Sequence, residues 1–244
     1  LAQGVVQMGD SDEDAQPASE PPAWAAEIIQ IAKAQVGLDV YPPSDDTFLL
    51  LEALKADEKL RALQPRTSLE LGCGSGAVSV GLWRVLSEVG VTPCILAVDK
   101  NPAAAVCTAN LFRHFKLPRA EALRASLTQC FREMEFDLVI CNPPYVPTDE
   151  EEMRGCGISV SWAGGQRGRE VIDVLMPMVA KALALKGLFF LVCIAENEPS
   201  EVLALGRSLG LVAEEAAREQ RGMEELFILR FQKVDAVDSQ LEAT

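Results

Sequence analysis

From Thr67 onward the chain alternates short apolar runs with longer amphipathic stretches, and this alternation limits the possible folds more than any other feature. A strand with one wet face alternates apolar and polar residues, whereas a strand covered by helices on both faces is apolar almost throughout. Runs at 67–71, 94–99, 120–125, 136–141 and 187–194 are read as strands, with helical spacing between them at 76–89, 102–115 and 168–185. Another helix near 198–208 takes Pro199 in its first turn, where a missing N–H is tolerated. The pattern predicts an α/β domain built on a parallel sheet. Its end departs from that rule: Leu211 to Ala217 and Glu225 to Phe231 flank the polar segment Arg218 to Gly222, which reads as an antiparallel hairpin closing the sheet.

Upstream, residues 1–20 carry Asp10, Asp12, Glu13, Asp14 and Glu20 without a Lys or Arg, the composition of a disordered acidic tail. Between Ala23 and Val36, Trp24, Ile28, Ile31 and Gln35 fall at helical spacing before Gly37, which predicts a lead-in helix. After Tyr41, Pro42 and Pro43, either Ser44 or Asp45 can cap a helix whose apolar stripe is Phe48, Leu49, Leu51 and Leu54. Val234 to Thr244 reads as a loose tail. The expected organisation is therefore one domain, 21–233, between two tails, with no internal repeat.

Composition excludes several functions. The longest apolar run, Leu188 to Ala195, is far below the roughly 20 residues of a membrane helix. No charged-then-apolar segment opens the chain, so a soluble protein is expected. Cys73, Cys94, Cys107, Cys130, Cys141, Cys156 and Cys193 form no C-x-x-C pair and read as reduced thiols of an intracellular protein. His114 is the one histidine, which disfavours a histidine metal site or a Ser-His-Asp hydrolase. A formal charge of −14 opposes nucleic-acid binding, because Lys and Arg neutralising phosphates dominate that affinity.

Two segments carry chemistry. In the first, the apolar run Ser68 to Leu71 enters Gly72-Cys73-Gly74-Ser75-Gly76, where the chain must turn sharply and bring backbone close to a ligand. Asp99 ends the next apolar run, where a carboxylate can accept from ribose hydroxyls. The spacing G-x-G-x-G differs from both the pyrophosphate fingerprint and the P-loop, so the pair points to a nucleoside-bearing cofactor of another kind. In the second, Phe136 to Cys141 ends directly in Asn142-Pro143-Pro144-Tyr145. Ligands in open α/β sheets bind beyond the carboxyl ends of the strands, so Asn142 should sit at the cleft. Its amide oxygen and a proline carbonyl make a double acceptor for an NH2 group, and Tyr145 offers a flat face for an amide or a base.

With these motifs the sequence resembles a class I S-adenosylmethionine-dependent methyltransferase, and specifically the HemK-like family that methylates the glutamine of release factors. It is most similar to the short eukaryotic and archaeal branch. The resemblance spans about residues 40–232 and rests on Tyr41 to Phe48, Leu69 to Gly76, Asp99 to Pro102, Asn142 to Tyr145 and Trp162 to Glu170. It implies a Rossmann-like, seven-stranded, mostly parallel sheet and S-adenosyl-L-methionine as cofactor. Thr47, Glu70, Gly72 and Gly74 would hold its methionine part, Asp99 the ribose, and Ser126 with Leu127 the adenine; Asn142 would border cofactor and acceptor. Where Ser126 stands the family usually has Asp, so the neutral hydroxyl would be a weaker acceptor.

The resemblance also implies the catalytic set Asn142, Pro143 and Tyr145, an acceptor site of Asn142, Pro143, Pro144 and Tyr145, and no metal. The substrate would be a class 1 translation release factor. The partner would be a small zinc-binding activator subunit, in a heterodimer, and the setting the cytoplasm, with room for a nuclear pool. An amide nitrogen is a poor nucleophile, so positioning by Asn142 and Pro143 should carry most of the catalysis. Amino-methylation of adenine in DNA or RNA, or of a protein lysine, stays open as an alternative, as does a non-catalytic module keeping the pocket. Gly164-Gly165-Gln166 repeats the tripeptide of a release factor and reads as coincidence in a substrate-side loop. Asp149 to Glu152 reads as a solvated acidic run and His114 as a helix-end residue; Trp24, Trp83 and Trp162 read as packing residues.

Overall fold

The computed structural model describes residues 20–126, 134–149, 163–221 and 224–235. The acidic tail through residue 19, Leu127, Cys130, Glu150 to Glu152, Cys156, Trp162 and residues 236–244 lie outside the described residues. The apolar runs become β1 (Thr67–Leu71), β2 (Cys94–Asp99), β3 (Ala120–Arg124), β4 (Phe136–Cys141), β5 (Leu183–Ile194), β6 (Leu211–Arg221) and β7 (Glu224–Lys233). They form a seven-stranded sheet in the order β3-β2-β1-β4-β5-β7-β6. Pairing is parallel from β3 to β5, and β7 runs antiparallel to both β5 and β6.

The helices are α1 (Ala26–Gln35), α2 (Asp45–Ala56), α3 (Glu58–Leu63), α4 (Ala77–Ser87), α5 (Pro102–His114), α6 (Glu170–Ala182) and α7 (Pro199–Ser208). Strand alternation sends each half of the apolar residues to one layer. In β5, Phe189, Leu191 and Cys193 pack with Ile172, Leu175 and Val179 of α6, while Leu188, Phe190, Val192 and Ile194 pack with α2 and α4 on the other face. A third cluster joins Ile28 and Ile29 of α1 to Phe48 and Leu51 of α2 and to Leu111 and Phe112 of α5. Helix α2 starts as its sequence dictates: Ser44 is the N-cap, and its main-chain N–H donates to Thr47 Oγ1 at 3.4 Å.

The chain moves outward from β1 through β2 to β3 and then returns to lay β4 on the opposite side of β1. That reversal is the switch point of an open α/β sheet, where a crevice opens beyond the strand ends.

The structure corrects several boundaries. Helix α3 is an element the apolar spacing did not reveal; its N-cap Asp57 accepts from Leu60 N at 2.7 Å. Helix α6 stops at Ala182 rather than 185, because Leu183 already pairs with Phe136; the register slips between Phe136 and Leu138, and Lys186 takes a φ of 69°. The polar residues Arg218 to Arg221, expected as a hairpin turn, extend β6, since ladder pairing to β7 satisfies their backbone whatever their side chains.

Phe231 is fully buried and stacks on Phe189 with ring centroids 5.5 Å apart. The missing side chain of Gly206 leaves room for it, since a Cβ there would come within 2.4 Å of the ring. Phe231→Ala is expected to lower unfolding free energy by about 3–5 kcal/mol. Urea denaturation should show this as a lower midpoint at unchanged slope.

Candidate active site

The carboxyl ends of β1 and β4 bring the two motif loops together. After β1, Gly72, Gly74 and Gly76 take φ values of 73°, 50° and 82°, left-handed conformations that let the loop fold back on β2. Gly72 N and Cys73 N both donate to the Val98 carbonyl, at 2.9 and 3.0 Å. A side chain at Gly76 would also strike Thr108 Cα of α5 at 2.9 Å. Asp99 is held by backbone N–H groups, Oδ2 accepting from Gly74 N at 3.0 Å and Oδ1 from Asn101 N at 2.8 Å. Its carboxylate is thereby fixed in direction while lone pairs remain for a ligand.

Glu70 is 6% exposed and accepts from the Ser79 hydroxyl. Burial lifts its carboxyl from an ordinary 4.5 to about 8, partly opposed by the Ser79 hydrogen bonds, and the negative Asp99 pushes the same way as burial.

After β4, Asn142 and Tyr145 both turn toward a carboxylate from α2. Asp46 Oδ2 accepts from Asn142 Nδ2 at 2.8 Å and from the Tyr145 hydroxyl at 3.1 Å, and Asp46 is 4% exposed. Asn142 Oδ1 is buried and has no hydrogen-bond partner among the described residues. Burial first, and then the charge of Asp46, drives the Tyr145 phenol well above the usual range, so it stays protonated and donates.

The loop is also fastened from behind. Asn197, fully buried beyond the end of β5, accepts from Ile194 N at 2.8 Å and donates to the carbonyls of Tyr145 at 2.8 Å and Arg167 at 3.0 Å. Gly168, at φ 65°, sits so close that a Cβ would lie 1.8 Å from the Tyr145 carbonyl oxygen. The segment 163–168 thereby lies against the loop after β4, with Gly164 N donating to the Val146 carbonyl at 2.8 Å and Thr148 N to the Gly165 carbonyl at 3.1 Å.

A cleft of about 950 Å³ joins these groups. Thr47, Glu70, Gly72, Gly74, Asp99, Ser126, Asn142, Pro143, Pro144 and Tyr145 all line it, so every described residue singled out from the sequence converges there. Leu127 lies outside the described residues. Sequence reasoning missed Asp46, Tyr41 and Glu224, which line the same cleft, and Asn197 behind it. Asp46 was legible in principle: it shares a helix face with Leu49, Leu50 and Ala53, and a carboxylate on a buried stripe needs a reason. Asn197 left no such signal, because the two carbonyls it holds are 52 and 30 residues away. Burial and the negative charges of Asp46, Glu196 and Asp45 raise the Glu224 carboxyl at the same end.

His114 ends α5 edge-on to Phe115, with ring centroids 5.0 Å apart, and Trp24 and Trp83 pack against the third core cluster. Gln166 is exposed in a short turn. No helix among the described residues is long and apolar enough to cross a membrane.

A sheet of parallel strands in which only β7 runs the other way, with the cleft at the β1/β4 switch, is the class I methyltransferase architecture. A family profile described as "Methyltransferase small domain" matches residues 44–155. Methyltransferase HEMK2 of Homo sapiens is 40% identical over 200 residues, 80% of this chain and 90% of the human one. The eRF1 methyltransferase catalytic subunit mtq2 of Schizosaccharomyces pombe is 30% identical over 208 residues, again 80% and 90% of the two chains. Among solved structures, the E. cuniculi Mtq2–Trm112 complex responsible for methylation of the eRF1 translation termination factor contains a chain of similar fold. The TM-score is 0.58 at 26% identity, over 80% of this chain and 99% of that one. By these likenesses the chain belongs to the HemK-like methyltransferase family.

The raised Glu70 carboxyl has a measurable consequence. A group that binds its proton more tightly when folded contributes stability that is complete below the unfolded value and is lost as pH rises toward about 8. The decline is at most about 1.4 kcal/mol per pH unit. Chemical denaturation of the ligand-free chain between pH 5 and pH 8 should show stability falling, and Glu70→Gln should flatten that fall; parallel curves for the two proteins would refute it.

Proposed function

We propose that the chain transfers a methyl group from S-adenosyl-L-methionine to the side-chain amide nitrogen of the glutamine in the Gly-Gly-Gln segment of a class 1 translation release factor. The observation that carries this reading is Asn142, which lines the cleft beside Pro143 with its buried Oδ1 unpaired among the described residues. A primary amide brings two N–H donors to such a pair of oxygens. The eRF1 named as substrate of the S. pombe and E. cuniculi relatives supports a release factor as the protein substrate.

The residues present fit the cofactor. Glu70 is a buried carboxylate suited to an ammonium group, and the positive-φ loop from Gly72 to Gly76 presents backbone to the cleft. The carboxylate of Asp99 is pre-set for vicinal hydroxyls. Thr47, Glu70, Gly72 and Gly74 would hold the methionine part, Asp99 the ribose and Ser126 the adenine edge. When bound, the cofactor supplies an electrophilic methyl on a sulfonium centre. The work of this chain is then geometric. Asn142 Oδ1 and the Pro143 carbonyl accept the two amide hydrogens, set the nitrogen in line and stabilise the positive charge that develops on it. Pro144 and Tyr145 wall the acceptor and keep water out, and the proton is lost after transfer, when the methylated nitrogen has become strongly acidic.

The chain works with a small zinc-binding activator subunit in the cytoplasm. In support, the E. cuniculi relative is a complex with Trm112. Strand β3 is an open sheet edge whose Leu123 is 47% exposed, a surface that an added subunit would cover.

The test is methyl transfer from labelled cofactor, with the activator co-expressed, to the release factor, to its Gly-Gly-Ala variant and to duplex DNA. Label on the unaltered release factor alone is expected, and label on DNA, or equally on the Ala variant, would overturn the substrate. Asn142→Ala is expected to keep cofactor binding by calorimetry and to lose turnover by about 100-fold or more. Normal turnover would remove Asn142 from its role.

A further inference from the structure

The amide of asparagine can face either way, and only its oxygen side suits an incoming N–H. Something must therefore fix which end of Asn142 looks into the cleft. Building on the glutamine reading, we infer that Asp46 is the positioning and specificity-determining residue of the acceptor site. Its carboxylate holds the Asn142 amino group, turns Oδ1 toward the acceptor, and so makes the site select a carboxamide over a carboxylate.

The geometry leaves Asp46 no freedom of its own. Oδ1 accepts from Thr47 N at 2.6 Å and from Thr47 Oγ1 at 3.2 Å, while Oδ2 accepts from Asn142 Nδ2 at 2.8 Å and from the Tyr145 hydroxyl at 3.1 Å. All four partners are donors, which only an ionised carboxylate can satisfy on both oxygens. One end of this bridge lies in the first turn of α2 and the other beyond β4, 96 residues apart for Asn142 and 99 for Tyr145. Because Asn142 Nδ2 is engaged, the atom left to meet the substrate is Oδ1, buried and without a partner among the described residues.

Selectivity follows from the orientation. A glutamine amide offers N–H to Oδ1, whereas a glutamate carboxylate offers only lone pairs and would leave acceptor facing acceptor in a buried place. With Asn at position 46 a single oxygen remains. The backbone N–H of Thr47 cannot turn away, so that oxygen stays on it and the new amino group faces Asn142. Two amino groups then meet, and the cheapest relief is a half-turn of the Asn142 amide, which presents NH2 to the cleft.

The experiment compares the wild-type chain, Asp46→Asn, and the exchange variant Asp46→Asn with Asn142→Asp, each with the activator subunit. Steady-state kcat and KM, cofactor affinity and binding of the Gly-Gly-Gln and Gly-Gly-Glu forms of the release factor are read. Wild type should prefer the Gln form by about tenfold or more. In Asp46→Asn that ratio should collapse toward one or invert, with kcat down about 30-fold and cofactor affinity within about threefold. The exchange variant puts an acceptor-only group at 142 held by an amide at 46, and should regain the Gln preference.

An unchanged ratio in Asp46→Asn overturns the inference. So does an exchange variant that fails to fold or to prefer Gln. Should Asp46→Asn itself not fold, the exchange variant decides, because a fold needing a carboxylate at 46 for other reasons is not rescued from 142. A wild-type enzyme that leaves the release factor unlabelled refutes the glutamine reading instead.

Discussion

Pairing β1 directly against β4 places the two chemical loops side by side. The register sets Leu71 opposite Cys141, so the next residues on each strand, Gly72 and Asn142, emerge as neighbours. A Cβ on Gly72 would rest 3.7 Å from the Asn142 carbonyl oxygen, an ordinary contact, so it is the φ of 73° that favours glycine there. A slip of one residue in β4 would turn Leu138 and Ile140 toward the layer occupied by Val139 and Cys141. Core packing and the position of the loop after β4 are thus one constraint, since the alternation that buries β4 on both faces also decides where Asn142 stands.

The cleft built at that junction is organised by carboxylates with different neighbours. Asp99 is tied by backbone N–H groups and Asp46 by four donors, whereas Glu70 has the Ser79 hydroxyl and deep burial, which lifts its carboxyl to about 8. Hydrogen bonds to the ionised form and burial pull in opposite directions. Asp46 and Asp99 are thus held in direction by their donors, whereas burial makes the charge of Glu70 costly. Tyr145 belongs to the same system, its phenol kept protonated by burial and by Asp46, so it donates to that carboxylate rather than acting as a base.

Much of this was legible in the residues. The five parallel strands, the closing hairpin, the glycine loop, Asp99 at a strand end and the Asn-Pro-Pro-Tyr turn are local patterns. Their physical origins are burial on two faces, positive φ and a fixed proline φ, all of which act within a few residues. What escaped is non-local or poorly periodic. Helix α3 is too short to show a stripe, and the polar end of β6 is a strand because β7 lies beside it. Asn197 works only because the end of β5 comes back under the Tyr145 loop, and Gly168 because the chain at 163–168 presses on that loop's backbone.

The sequence by itself determined the layered α/β architecture and which chemical groups were on offer, because hydrophobic period and turn chemistry are written in neighbouring residues. The tertiary structure decided how those groups are aimed. Asp46 and Asn142 are remote in the chain, and an asparagine carries no local preference for which end of its amide faces a ligand. Only the approach of α2 to the end of β4 settles that choice, by setting a carboxylate against the amino side of Asn142 and leaving its oxygen without a partner among the described residues.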